Sequence, residues 1–379
     1  MSGMTDSITV KNKSGGCGGM IGGVLFGSIA FLASFILLFW NEGRAEQTYN
    51  SLNEGAAAVT SVGADSVNAA NNGKLVYVSG MAVTSDTVTD NDFSISVRAI
   101  KLQREVLMYQ WKESSRSSDI NKTTYTYEKV WSSSLISSRN FEQQSGHENP
   151  AEMRFEPTDF VANNVTLGAF TLSKSLVNKT SGGRSLAVDS VPYNLPASVK
   201  DQTKVTDGYF YIGSGALASP QIGDMQVKFT VIEPTTVSVI SGQKDKTFAP
   251  YQTQAGDALD MLEMGTQTPE EMFKSAQETN AILTWLLRGG GFIAMYIGAA
   301  LLLSPATQLL KFIPFLGELV ERALLLVAFA ITLLLSFITI SMAWLVYHPL
   351  IGLSLLCVGV LTFGGVIAGA ALIVNVLKK

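Results

Sequence analysis

Few residues in this chain have the type and spacing that chemistry needs. His147 lies in Gly146-His-Glu-Asn-Pro150, where a histidine beside Glu148 can work as an acid–base pair. The same five residues also read as a turn, with Asn149-Pro150 setting the backbone and His147 capping it, and turn chemistry favours that reading. The only other histidine, His348, is remote in sequence, so no multi-histidine cluster is expected. Two cysteines, Cys17 and Cys357, exclude a four-thiolate zinc site and a disulfide scaffold. There is no P-loop, no G-x-G-x-x-G after a strand, no G-x-S-x-G and no H-E-x-x-H. No catalytic residue, no cofactor and no metal site is therefore expected.

The most specific spacing belongs to small residues. Gly19-x3-Gly23 and Gly23-x3-Gly27 tile one apolar stretch, Ala294-x3-Gly298 lies in a second, and Gly365-x3-Gly369 in a third. Small residues four apart let helix backbones approach closely in lipid. Contact inside one bundle and self-association are both open. Arg288 is the one charge well inside an apolar stretch; snorkelling to the outer surface is favoured over a lipid headgroup or a helix terminus. Trp40, Arg44, Trp285, Arg288 and Trp344 are the expected interface anchors. Thr332, Ser336 and Thr339 share one helical face. A pore lining would use such a face, but hydroxyls in membranes more often satisfy backbone carbonyls.

These residues need membrane helices to position them, and composition supplies them. Charged residues make up 15% of the 379 and apolar ones 47%, with a mean hydropathy of +0.25. The apolar residues collect at the two ends. Met20–Trp40, Ala281–Leu303, Ala323–Tyr347 and Pro349–Leu377 each suffice for a bilayer core of about 30 Å. The first run is too long for a signal-peptide core and no cleavage pattern precedes Asn41-Glu-Gly-Arg44. His348-Pro349 leaves room only for a tight hairpin between the last two. Residues 1–17 read as a cytoplasmic N-terminus and 304–322 as a cytoplasmic interfacial loop. Lys11, Lys13, Lys311, Arg322, Lys378 and Lys379 would share one face, so the positive-inside rule puts both termini in the cytoplasm. The net charge of −4 gives no nucleic-acid footprint.

Residues 41–280 form the large domain on the opposite face. They carry 28 acidic and 20 basic residues, a net charge of −8, and no cysteine. Lys74–Val83, Phe93–Ile100, Glu105–Trp111 and Thr123–Trp131 are β-rich runs separated by turn residues. A second series follows from Gly208, with Met225–Val231 alternating as a half-buried strand should. Two related β modules, about 70–155 and 205–260, are suggested. A short helix is expected within Asp159–Lys179, with Phe160, Val161, Val165, Leu167 and Phe170 apolar. Thr268-Pro269-Glu270-Glu271 is a capping box, so one helix should run from Pro269 into the second span. Asn41–Ala58 would similarly extend the first. The expected fold class is α+β, with one N-terminal and three C-terminal membrane helices around a β-rich extracytoplasmic domain.

Read in order, the chain resembles the transmembrane protein 43 (LUMA) family from its first span to its last. The likeness rests on Asn41-Glu42-Gly43-Arg44-Ala45, on Met108-Tyr109-Gln-Trp111, and on the spaced series Trp131, Ser133, Ile136, Asn140-Phe141, Gly146-His147, Asn149-Pro150. Gly223-Asp224, Thr284-Trp285, Leu287-Arg288, Phe312-Ile-Pro314 and Trp344-Leu-Val-Tyr-His-Pro349-Leu350 extend it; His348 stands where the family pattern has arginine. The resemblance implies a self-associating membrane scaffold. In eukaryotic relatives it implies the endoplasmic reticulum and inner nuclear membrane, with emerin and lamins as partners; a bacterial member would sit in the plasma membrane. Membrane lipid, other membrane proteins and a second copy of the chain are the expected partners, and nucleic acid is not. An ion channel or transporter component, using the C-terminal helices, is the alternative; a membrane-anchored enzyme is a weaker one.

Overall fold

The computed structural model describes residues 6–11, 17–119, 122–310 and 317–377. Its five α-helices are α1 (Cys17–Ala58), α2 (Lys174–Lys179), α3 (Pro269–Leu310), α4 (Gly317–Tyr347) and α5 (Pro349–Leu377). All but α2 contain stretches long and apolar enough to cross a membrane: Ile21–Ala58, Pro269–Ala306, Ala323–Tyr347 and Pro349–Val366. At 42 residues each, α1 and α3 are about 63 Å long, twice a bilayer core. The surplus carries them beyond the lipid, so 41–58 and 269–280, expected at the margins of the β-rich domain, are helix. The capping box starts α3: the Thr268 N–H donates to Glu271 at 2.8 Å, and the Glu271 N–H to the Thr268 hydroxyl at 3.2 Å. α3 also runs through Pro305, so residues 304–310 belong to a helix and not to the expected interfacial loop. The remainder of that apolar segment, 311–316, lies outside the described residues. α4 and α5 meet at His348, whose N–H donates to the Trp344 carbonyl at 2.7 Å; Pro349 opens α5, where its missing N–H costs nothing.

The chain divides into two compact units. The β unit comprises Met1–Lys13, Ala57–Gln252 and Ala258–Met272, and the helical unit Ser14–Ala56, Thr253–Asp257 and Phe273–Lys379. Among the described residues two eight-stranded sheets and one two-stranded sheet, Thr87–Asp90 with Ile95–Arg98, build the β unit. In the first, Lys101–Asp119 and Lys122–Ser132 form a long hairpin, and Met225–Ile232 pairs antiparallel with Lys101–Met108. In the second, Thr235–Lys244 pairs with Leu75–Thr84 and with Ala258–Met264. Each sheet thus joins a block of early strands to a block of late ones, so the two expected modules share both sheets and are not separate folding units. Each contributes one alternating apolar face, and neither can bury it without the other. Phe93, Leu102, Phe170, Phe210, Phe229 and Val239 belong to the single core so formed.

Two local expectations need correction. The short helix expected within Asp159–Lys179 is present as Lys174–Lys179, but Phe160, Val161, Val165, Leu167 and Phe170, named with it, lie in the strands 158–161, 165–167 and 170–171. Gly168, at φ +59°, and the Asn163-Asn164 turn interrupt the run before a helix could propagate. Asp6–Lys11, expected as part of a separate N-terminal tail, is an edge strand paired antiparallel with Lys122–Tyr127. Its Ile-Thr-Val run is β-branched and suits that position.

Candidate functional site

The most concentrated polar chemistry lies in the helical unit, where apolar contacts would be expected. Glu42 and Glu46 are one turn apart on α1, and Asn280, Thr284 and Arg288 repeat every fourth residue on α3. Glu42 is 1% exposed and holds a bidentate ion pair with Arg288, through Nε at 2.7 Å and Nη2 at 2.6 Å. The Trp344 indole of α4 donates to the same carboxylate at 2.7 Å. One carboxylate therefore joins α1, α3 and α4. Asn41 donates to the Thr284 carbonyl at 3.1 Å, and Asn280 to the Ala45 carbonyl at 2.9 Å. Arg44 donates to Asn280 Oδ1 at 2.8 Å, to Thr284 Oγ1 at 2.9 Å and to Asn41 Oδ1 at 3.2 Å. Glu46 accepts from Asn50 and lies 3.0 Å from His348 Nε2, at the α4–α5 turn. Gly43 leaves room for the Tyr347 hydroxyl, 3.0 Å from where a Cβ would stand. Charge-assisted bonds of this kind fix geometry more strictly than apolar contact does.

Arg288 is thus not a snorkelling side chain: Glu42 neutralises it locally, which costs less than holding an unpaired guanidinium against lipid. Its guanidinium carbon also lies 4.7 Å from the Trp285 ring centre. Trp285 and Trp40 are exposed, at 68% and 55%, as residues facing headgroups would be, whereas Arg44 and Trp344 turn into the polar cluster. Among the glycines, Gly27 and Gly298 pack against each other's helix: a Cβ on Gly298 would stand 2.7 Å from the Phe31 nitrogen. Ala294, one turn before, is half-buried. Gly23, Gly365 and Gly369 face open space. The surroundings of Gly19 fall outside the described residues. Thr339 donates to the Leu335 carbonyl and Ser336 to the Met295 sulfur, while Thr332 is fully buried with no partner for its hydroxyl. All three are buried among the described residues.

In the β unit, the His147 N–H donates to the Gln144 carbonyl at 2.8 Å and closes a turn over Gln144–His147, ahead of the one expected at Gly146–Pro150, and Glu148–Pro150 follow without regular structure. Glu148 accepts from the Gly146 N–H. The His147 ring is buried, stacked 3.9 Å from the Tyr127 ring centre and edge-on to Trp111, with Nδ1 3.2 Å from the Gln143 carbonyl. Asn149 replaces a strand partner: Oδ1 accepts the Trp111 N–H at 2.7 Å, and Nδ2 donates to the carbonyls of Trp111 and Ile136. Pro150 packs toward Gly223, and Trp131 lies between Tyr109 and Tyr211. Burial, reinforced by a hydrogen bond to Glu113, pushes the Tyr127 hydroxyl up to about 12. These residues tie an irregular loop to the long hairpin.

Glu42, Glu46, Asn280 and Thr284 were not singled out from sequence as one site. The signal was present in the four-residue polar repeat of α3, beside an arginine that needed a counter-ion. Among the described residues no group of three metal-ligating side chains comes together.

A family model, Transmembrane protein 43, matches residues 108–349. The chain belongs to the transmembrane protein 43 family. It is 34% identical to Transmembrane protein 43 of Mus musculus over 349 residues, covering 87% of this chain and 85% of that one. The Homo sapiens protein is 33% identical over 347 residues, with the same coverage. The Transmembrane protein 43 homolog of Drosophila melanogaster is 27% identical over 354 residues, covering 88% and 91%. No solved structure matches. The matched segment contains the Trp111–Pro150 loop, the α3 polar repeat and the α4–α5 turn. This is a multi-pass membrane protein of that family, with a β-rich domain between its first and second candidate spans.

Proposed function

We propose that this member of the family is a non-enzymatic membrane scaffold that self-associates through small-residue helix faces and presents its β unit to other proteins. The observation that carries this reading is the unequal use of glycine. Gly27 and Gly298 are filled by each other's helices, whereas Gly22 and Gly23 on α1 and Gly364, Gly365 and Gly369 on α5 meet no atom within 4 Å. Small-residue faces in lipid gain their stability from close backbone approach, and these meet no partner among the described residues. Crosslinking and mass measurement in native lipid test the proposal. Wild-type protein should be oligomeric, Gly23→Leu or Gly365→Leu should shift it toward monomer, and a strictly monomeric wild type overturns it.

The orientation proposed with this reading places both termini in the cytoplasm and the β unit outside it. The membrane would be the plasma membrane of a bacterium, or the endoplasmic reticulum and inner nuclear membrane of a eukaryote, where emerin and lamins become candidate partners. With α1 crossing lipid, Asp6–Lys11 and the Lys122–Tyr127 edge occupy opposite sides, so the strand must leave that edge on insertion. A reporter ahead of Met1 should therefore be cytoplasmic, as should one after Lys379. An N-terminal reporter found on the side of the β unit would keep the strand paired and overturn this orientation.

A further inference from the structure

We propose that the Glu46–His348 contact is a proton-sensitive latch that fastens the α4–α5 turn to α1, independently of whether the chain self-associates. The two side chains meet at 3.0 Å, with Glu46 9% and His348 50% exposed. The glutamate is thus held in place while the imidazole remains open to protons from solvent. Asn50 donates to the same Glu46 oxygen and fixes it. The Trp344 ring, 5.6 Å from the imidazole, holds His348 from α4. α4 also carries Tyr347 beside Gly43. The other charges near the turn are already committed: Glu42 on α1 to Arg288 of α3, and Arg44 on α1 to Asn41, Asn280 and Thr284. α5 brings no acidic or basic residue between Pro349 and Thr362.

Imidazole is the side chain whose charge ordinarily changes between pH 5 and 8. Neutral His348 can already give the Glu46 carboxylate one hydrogen bond. Protonating His348 adds the Coulomb attraction of an ion pair to that bond. The proton comes from bulk solvent and returns to it, and no covalent bond changes. The latch accordingly tightens as pH falls and loosens as pH rises. The half-exposed position weakens the effect, so closure should change about three- to fivefold.

The test is hydrogen exchange on full-length protein in lipid nanodiscs, reading the peptide spanning Trp344–Gly352 at pH 5.5 and 8.0 after correction for intrinsic exchange. Carboxylates as a class stay ionised over that range. In the wild type, protection of this turn should be about three- to fivefold higher at pH 5.5. His348→Gln and Glu46→Gln should abolish the pH response, and His348→Arg should hold high protection at both values. Protection around Gly27 and Gly298 reports whether each variant still packs its helices. A flat wild-type response overturns the proposal. So does a response that survives in a correctly packed His348→Gln protein.

Discussion

Arg288→Leu is the sharpest perturbation available in the helical unit, and its cost follows from unequal burial of the pair. Glu42 is 1% exposed and Arg288 20%, with the two bonds between them at 2.6 and 2.7 Å. Removing the guanidinium leaves a buried carboxylate held, among the described residues, by the Trp344 indole alone. Breaking a buried pair in this way costs about 3–5 kcal/mol. Glu42→Gln is milder. The amide oxygen still accepts from Trp344, and the partly exposed guanidinium can turn toward water along the Trp285 ring, so about 1–2 kcal/mol is expected. The double variant has no stranded charge and should recover at least about 1.5 kcal/mol relative to the sum of the singles. Unfolding of the full chain in lipid nanodiscs, followed by accessibility of a buried reporter cysteine near Gly298, gives all four stabilities. If Arg288→Leu is no worse than Glu42→Gln, or if the two changes simply add, the carboxylate is not the buried partner described here.

Three further outcomes are expected in the β unit. Arg104 pairs with Asp90, which is fully buried, and with Asp92, so Arg104→Met should destabilise the unit by about 3–5 kcal/mol in urea unfolding of the full chain; a change under about 1 kcal/mol would contradict the pairing. Gly168→Ala would put a Cβ 2.2 Å from the Ala64 carbonyl at positive φ, whereas Gly146→Ala meets open space. The first should therefore lower the melting temperature more, and equal losses would count against the close approach. Tyr127 should stay protonated until about pH 12 in an ultraviolet phenolate titration, and Tyr127→Phe should remove that step while leaving the Tyr211 step, which burial and Asp224 push higher still. Because folding raises this group from its ordinary 10.0, its stabilisation is complete below pH 10 and fades as pH climbs through about 12; an early, unshifted step would refute its burial.

The helices were legible because their signals are local. An apolar run, a Thr-Pro-Glu-Glu cap and a His-Pro break each fix a boundary within a few residues, and α1, α3, α4 and α5 follow them. The β unit was legible only as strands. The pairing of Met225–Ile232 with Lys101–Met108 joins segments more than a hundred residues apart, and no periodicity encodes which apolar face meets which. Phe160, Val165 and Phe170 show the same weakness at short range, since a helical reading of their spacing competes with β-branched neighbours and a turn glycine. A turn at His147 was readable from Asn149-Pro150, although it closes earlier, over Gln144–His147. The Glu42 cluster was not, because each charge looked tolerable alone and the pairing appears only when α1 and α3 are side by side.

That cluster also addresses a problem created by the glycines. Between membrane helices there is little hydrophobic drive, and a smooth apolar face can slide by a turn at small cost. The close approach at Gly27 and Gly298 sets how near α1 and α3 come, but neighbouring small residues offer other registers. A one-turn slip would separate Glu42 from Arg288 and Asn41 from the Thr284 carbonyl, stranding two charges and a buried amide together. Each loss alone would be several kcal/mol in so poorly solvated a place. The buried polar residues therefore act against the wrong registers more than they add to the right one, the use for which buried charges are best attested. The same reasoning explains why Trp344 joins Glu42 and His348 joins Glu46. The α4–α5 hairpin has largely apolar faces, and its contacts with two carboxylates one turn apart on α1 fix its height along that helix.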